Sequence, residues 1–234
     1  MVLTAQNIAA MIDLSCVRTY SCIADIDEMV LNARKYEIGQ ITVLQCYIPY
    51  VRELIKNDPK IRFCGNVSFP SGSDSTSVKV FQAKELVSDG CHEIDMVMNI
   101  GQLLSGQYSE VEADVRAVVE AAKPLPVKVI IEMAYLKPHE IETACKICIA
   151  AGAAFVKTGT GWTDKGTTVE DVLLVKSIVG DRIQIKASGG IRDLDTLLKM
   201  YAAGARRFGV NLKSGIKIIE ECLANEASEA KLTI

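Results

Sequence analysis

Eight short apolar runs recur along the chain, most of them followed by a stretch with helical spacing. The runs are MIDL (11–14), ITVLQ (41–45), IRFCGNV (61–67), EIDMVMN (93–99), VKVIIEM (127–133), AFVKT (154–158), IQIKAS (183–188) and RRFGV (206–210). Intervening patterns such as SEVEADVRAVVEAA and DLDTLLKMYAAG place apolar residues at i, i+3 and i+4 and have glycine near the end, as amphipathic helices do. The gap VRELIKNDPK reads as a short helix stopped by Asn57-Asp58-Pro59. Strand and helix in alternation imply a parallel sheet, and eight such units in 234 residues fit an α/β fold, a single-domain (β/α)8 TIM barrel over 1–234. An open, doubly wound sheet is the alternative.

Alternation within the runs separates two faces. In EIDMVMN, Ile94, Met96 and Met98 share one face while Asp95, Val97 and Asn99 share the other. In VKVIIEM, Val127, Val129, Ile131 and Met133 oppose Lys128, Ile130 and Glu132. The same split sets Asp13, Asn66, Lys157 and Lys186 opposite apolar or small neighbours. A barrel accounts for this, because its outer face packs on helices and its inner face opens at the C-terminal rim, where active sites are built.

Composition narrows the function. A net charge of −3 with no dense Lys/Arg block lacks the electrostatic footprint of a nucleic-acid binder. The start MVLTAQNIAAMIDL has no basic segment followed by an apolar one, and no apolar run reaches membrane-spanning length. A soluble, cytoplasmic protein acting on a small anionic or neutral substrate is expected. Eight scattered cysteines without a secretion signal do not suggest a disulfide framework. Cys145-Lys-Ile-Cys148 falls inside the helical pattern HEIETACKICIAAG, so helix packing explains it better than zinc or redox chemistry.

Lys157 and Lys186 each close a strand, in FVKT and IKAS, from consecutive strand-helix units, and so enter one rim as neighbours. Two close ammonium groups repel, and loss of a proton from one relieves the repulsion and yields an amine nucleophilic toward carbonyls. Alternatively, one or both pair with Glu132 or Asp95 for purely structural reasons. Lys186 runs into Ala187-Ser188-Gly189-Gly190, and the last strand into Gly209-Val210-Asn211-Leu212-Lys213-Ser214-Gly215, both read as glycine-bearing strand-to-helix turns. Backbone N–H groups at such turns bind phosphate; a tight turn needing positive φ is the other reason for glycine.

Across nearly its whole length the chain resembles the deoxyribose-phosphate aldolases, through FPSGSDSTSVKVFQAKELVSDG, HEIDMVMNIGQLLSGQY, KVIIEMAYL, AGAAFVKTGTGW and QIKASGGIRDLDTLLKMYAAGA. Members of that family are class I aldolases on a (β/α)8 barrel. The resemblance implies reversible cleavage of 2-deoxy-D-ribose 5-phosphate to glyceraldehyde 3-phosphate and acetaldehyde, with no metal or other cofactor. It implies that Lys157 forms the Schiff base, Lys186 lowers its pKa and Asp95 works with a water in proton transfer; Asp13 matches the acidic residue of the first strand. Thr160, Gly161, Gly189, Gly190, Gly209, Lys213 and Ser214 join Asp13 as candidate substrate contacts, and a homo-oligomer is compatible with this picture.

Some segments depart from the family pattern. The turn after the last strand usually reads Gly-Thr-Ser-Ser-Gly; GVNLKSG lacks the Ser-Ser pair, adds Lys213 and reads as two residues longer. KTGTGW has Gly159 where serine is usual, LQCYIPYV replaces a VCVNP-like segment and brings in Cys46, and the C-terminal EASEAKLTI has no terminal tyrosine. Two alternatives follow: a related class I aldolase for a larger, hydroxylated donor or another sugar phosphate, and a sugar-phosphate-binding barrel without catalysis.

Overall fold

In the computed structural model, which describes residues 3–228, eight parallel strands close into a barrel in chain order. They are β1 (Ile12–Cys16), β2 (Gln40–Val43), β3 (Arg62–Val67), β4 (Glu93–Val97), β5 (Val127–Ile130), β6 (Phe155–Lys157), β7 (Gln184–Ser188) and β8 (Arg207–Asn211). Each coincides with one apolar run, and the open-sheet alternative is excluded by the pairing of β1 with β8, Asp13 opposite Gly209. The C-terminal segment 229–234, which holds the end of EASEAKLTI, lies outside the described residues.

Helix α1 (Ala5–Met11) precedes the barrel, and α2 (Ile23–Lys35), α3 (Ile48–Leu54), α4 (Thr76–Ser88), α5 (Ile100–Leu104) and α6 (Tyr108–Ala121) follow the first four strands. Next come α7 (Pro138–Ala150), α8 (Val169–Val179), α9 (Leu194–Ala202) and α10 (Leu212–Ala227). Helix α3 begins at Ile48, earlier than the pattern VRELIK suggests, because Pro49 suits a first helical turn; it ends before Asn57-Asp58-Pro59.

Helix α9 shows how local sequence sets an element. Asp193 caps it by accepting from Thr196 N–H at 2.8 Å, and Leu194, Leu197 and Met200 form its buried stripe. Their burial contributes about 2 kcal/mol each. Gly204 then takes φ +118°, a conformation side chains disfavour, and ends the run. In α7, Cys145 and Cys148 are buried free thiols, consistent with a packing role.

The two strand faces now have distinct surroundings. Ile12, Leu14, Ile41, Val43, Met96 and Val129 join the apolar core beneath the helices. Gly65 packs so closely against Leu86 of α4 that a Cβ would lie 2.3 Å from its side chain. The inner face is polar and largely ionic. Between α4 and α6, Lys79 and Asp114 form a separate buried pair at 2.6 Å, a structural brace away from the barrel axis. No helix among the described residues is long and apolar enough to cross a membrane.

Candidate active site

Six strands supply one ionic centre: Asp13 from β1, Glu93 and Asp95 from β4, Lys128 from β5, Lys157 from β6, Lys186 from β7 and Arg207 from β8. Asp95 is its hub. Its Oδ2 accepts from Lys157 Nζ at 2.7 Å and from Lys186 Nζ at 2.9 Å, while Oδ1 accepts from Lys128 Nζ at 3.1 Å. Lys186 also reaches Asp13 at 2.5 Å, and Lys128 reaches Glu93 at 2.5 Å. Arg207 ties Asp13 to Glu93 at 2.8 and 3.1 Å.

This connectivity distinguishes the lysines. Among the described residues, Lys186 and Lys128 each touch two carboxylates, whereas Lys157 touches Asp95 alone. Setting aside Arg62, whose exposed side chain reaches Glu93 from the barrel's other end, four interior cations face three carboxylates. The site reaches charge balance when one lysine is neutral, and the cation with the fewest anionic contacts yields its proton most easily. Lys157 is also the most open of the three lysines, at 6% exposure against 1% for Lys186 and none for Lys128.

The titration behaviour follows. Burial pushes the Lys157 amine below its ordinary value; Asp95 opposes this and the Lys186 charge adds to it. Burial also disfavours charge on Lys186, but Asp13 and Asp95 outweigh it and raise that ammonium's pKa. Lys128 is raised as well, with Asp95 the chief opponent of burial. For Asp95, burial opposes ionisation, and Lys128, Lys157 and Lys186 overcome it, holding the carboxyl well below the carboxylate range. Cys64, buried beside Asp95 with Sγ 3.4 Å from Oδ1, has its thiol pushed up to about 12 and stays protonated. Repulsion between the two lysines, the sequence argument, is therefore secondary to desolvation.

Neighbouring backbone fixes where Lys157 stands. It is the direct register partner of Lys186, its carbonyl accepts from Ile131 N–H at 3.0 Å, and Thr158 N–H donates to Lys186 O at 3.1 Å. Glu132 pairs with neither Lys157 nor Lys186. Its carboxylate accepts from Thr160 N–H at 3.1 Å and from the Thr160 hydroxyl, holding the turn that follows Lys157. Gly159 has a spatial reason, since a Cβ there would lie 2.8 Å from Glu132 Oε1.

A cleft of about 680 Å³ opens at the C-terminal rim between the segments after β1, β6 and β7 and the start of α10. A small cavity of about 20 Å³ beside it reaches Lys157, Lys186 and Asp13. Ser15, Val17, Thr160, Ser188 and Gly209 line both, so the two spaces share one wall. Phe69 lines the small cavity and Trp162 the cleft, and their rings meet edge to face at 5.9 Å. Arg18 lies over Trp162 at 5.5 Å and donates to Gly161 O at 2.7 Å.

The sequence-assigned substrate contacts divide. Thr160, Gly161, Gly189, Gly190, Gly209, Lys213 and Ser214 all line the cleft. Asp13 lines the small cavity, but both of its oxygens are engaged by Lys186 and Arg207. The expected strand-to-helix turn over 209–215 is corrected: β8 pairs with β1 as far as Asn211, and α10 starts at Leu212, leaving no intervening loop. Gly209 is thus a strand residue, where a Cβ would lie 2.5 Å from Ser188 Oγ, and Gly215 is a helix residue packed on Leu14. Asn211 caps α10 by accepting from Ser214 N–H at 2.9 Å, so that N–H is already used. Gly189 and Gly190 do form a turn, with φ +96° and +83°.

Lys128, Glu93 and Arg207 were not singled out for chemistry by sequence. Their signal was the same alternation that exposed Asp95, carried toward the barrel floor. Comparison with known proteins adds relatives. A model of the DeoC/LacD family of aldolases matches residues 18–216. The chain is 40% identical over 222 residues to a deoxyribose-phosphate aldolase of Rhizobium meliloti (strain 1021), covering 95% of this chain and 90% of that one. It is 40% identical over 227 residues to the deoxyribose-phosphate aldolase of Carboxydothermus hydrogenoformans, covering 95% and 98%. Among solved structures, the aldolase QR15 superposes with a TM-score of 0.88 at 38% identity, covering 94% and 98%. The tetrameric deoxyribose phosphate aldolase of Aeropyrum pernix gives a TM-score of 0.85 at 26% identity, covering 93% and 92%.

Proposed function

The chain belongs to the DeoC/LacD family of aldolases, and from that premise we propose that it cleaves 2-deoxy-D-ribose 5-phosphate reversibly to glyceraldehyde 3-phosphate and acetaldehyde, with Lys157 as the Schiff-base nucleophile. The observation that carries this reading is the sharing of Asp95 Oδ2 by Lys157 and Lys186, with the amine of Lys157 shifted down and that of Lys186 shifted up. One lysine is available as a free amine while its neighbour keeps a proton beside it.

The neutral Lys157 amine adds to C1 of the open-chain sugar, and loss of water gives an iminium. The C2–C3 bond then breaks, its electron pair neutralises the iminium as an enamine, and the C3 hydroxyl gives up its proton as glyceraldehyde 3-phosphate leaves. Protonation of the enamine at C2 and hydrolysis release acetaldehyde and restore the amine. Lys186, kept charged by Asp13 and Asp95, stabilises negative charge developing on oxygen and supplies a proton. Ionised Asp95 accepts protons through water and orients the Lys157 amine and the Lys186 ammonium.

The phosphate takes the cleft. Gly189 and Gly190 turn backbone toward it, and a Cβ on Gly189 would come within 3.4 Å of the Gly161 backbone. The first N–H groups of α10, at Leu212 and Lys213, have no partner within the helix itself and suit an anion. Arg18, Arg192, Lys213 and Lys217 line the same space, with Asp25 the carboxylate among them.

Incubation with deoxyribose 5-phosphate and borohydride, followed by peptide mass analysis, tests the assignment. An adduct on Lys157, absent in Lys157→Ala together with turnover, is expected; an adduct on Lys186 in the wild type overturns it. Homo-oligomerisation and a cytoplasmic location belong to the same proposal and are read by light scattering and cell fractionation.

A further inference from the structure

Two oxygens in the Lys157 cavity serve no bond in the fold. Thr42 on β2 and Asn66 on β3 are each 4% exposed, and neither Thr42 Oγ1 nor Asn66 Oδ1 has a hydrogen-bond partner among the described residues. The orientation of Asn66 is determined, because its Nδ2 donates to Val43 O at 2.8 Å and a carbonyl can only accept. Asn66 Oδ1 is therefore an acceptor in need of a donor. Both residues line the small cavity with Lys157, Lys186 and Phe69, and its volume of about 20 Å³ holds one water-sized group. Leaving two buried polar atoms unpaired is costly, so a partner supplied from outside the fold is the economical explanation.

Their position identifies the partner. The barrel order puts β2 and β3 across the interior from β6 and β7. The cleft assigned to phosphate lies instead among the segments after β1, β6 and β7 and the start of α10. A substrate attached to Lys157 with its phosphate in the cleft turns its carbonyl-donor fragment toward Thr42 and Asn66.

We propose that Thr42 and Asn66 form a subsite for a hydroxyl on the carbonyl-donor fragment, so that the enzyme accepts a two-carbon donor hydroxylated next to its carbonyl and cleaves sugar phosphates bearing a C2 hydroxyl. This rests on Lys157 being the Schiff-base nucleophile. In the synthetic direction, Lys157 Nζ adds to the glycolaldehyde carbonyl and water leaves, forming an iminium. A proton departs from the hydroxylated carbon, whose C–H electron pair becomes the enamine double bond. That carbon attacks the acceptor aldehyde, forming the new C–C bond, and the acceptor oxygen takes up a proton. Hydrolysis of the iminium returns the free amine, with no net oxidation or reduction. Asn66 Oδ1 accepts the donor's O–H throughout, and the Thr42 hydroxyl completes the contact.

The test uses the wild-type enzyme with acetaldehyde or glycolaldehyde, first with borohydride and peptide mass analysis, then in steady-state assays with glyceraldehyde 3-phosphate as acceptor. Adducts on Lys157 from both donors are expected. Asn66→Val and Thr42→Val should each lower the ratio of kcat/KM for glycolaldehyde to that for acetaldehyde by about 10-fold, the worth of one hydrogen bond to the reacting fragment. Thr42→Val removes an oxygen that bonds nothing in the fold, and so decides the matter even if Asn66→Val does not fold. An ethyl adduct from acetaldehyde without a hydroxyethyl adduct from glycolaldehyde overturns the subsite and leaves Lys157 in its role. So does a ratio unchanged in the variants, which assigns the two oxygens to bound water. No adduct from either donor overturns the Schiff-base reading and the subsite together.

Discussion

Replacing Asp95 with asparagine keeps the shape of the hub and removes its charge. Three ammonium contacts of 2.7, 2.9 and 3.1 Å converge on it, and at an effective dielectric constant near 20 each is worth roughly 5–6 kcal/mol of Coulomb attraction. The variant does not lose all three. Lys186 keeps Asp13 and Lys128 keeps Glu93, so Lys157 alone is left without a carboxylate. A buried orphan can shed its proton, and from an unfolded-state pKa of about 10.4 this costs about 4.6 kcal/mol at pH 7, which caps the damage. Asp95→Asn should therefore destabilise the protein by about 3–5 kcal/mol at pH 7. Burial lowers the folded-state pKa of Lys157 and Asp95 opposes that shift, so removing Asp95 lowers it further. Between the variant's folded value and the wild type's, the variant has released a proton that the wild type and the unfolded chain both hold, so only the variant gains stability with rising pH and the deficit narrows by up to about 1.4 kcal/mol per pH unit. At the acidic end, the depressed pKa of Asp95 means its contribution is present above the ordinary carboxylate range and is lost as pH falls through the depressed value. Urea unfolding of both proteins at pH 7, 8 and 9 measures the deficit. A loss below about 1 kcal/mol, or one that widens as pH rises, would refute the hub as drawn.

Lys186→Leu removes a charge that lowers the Lys157 pKa, so the alkaline shift of the pH–rate profile and a large fall in kcat should appear together; an unmoved profile contradicts the electrostatic role. Lys213→Ala should raise KM for deoxyribose 5-phosphate about 10-fold while leaving that for unphosphorylated deoxyribose unchanged, as the loss of one charged contact predicts. Equal effects on both sugars would remove Lys213 from phosphate binding. Glu132→Ala frees Thr160 N–H and its hydroxyl and should cost about 2–4 kcal/mol in denaturant unfolding.

Legibility in the sequence depended on distance along the chain. All eight strands could be read, as could helices such as α6 and α9, because period-2 and period-3.6 patterns are written in adjacent residues. Polar residues on the inner face of β4, β6 and β7 were legible for the same reason, and Asp95, Lys157 and Lys186 indeed meet. The segment 209–215 misled because glycines suggest turns, whereas Gly209 is small to admit Ser188 and Gly215 to admit Leu14. Those neighbours come from β7 and β1, remote in sequence.

By itself the sequence determined the alternation of elements, the side of each strand that would be polar, and the chemical types gathered there. Only the tertiary structure decided which carboxylate each lysine meets. Closing β1 onto β8 brings Asp13 within 2.5 Å of Lys186, 173 positions away along the chain, and gives that lysine a second anion while Lys157 keeps one. Pairing of this kind depends on register around a closed sheet, a long-range property carried by no single segment. The difference between a stored proton and a free amine therefore arises from barrel closure, since both lysines occupy equivalent positions at the ends of neighbouring strands.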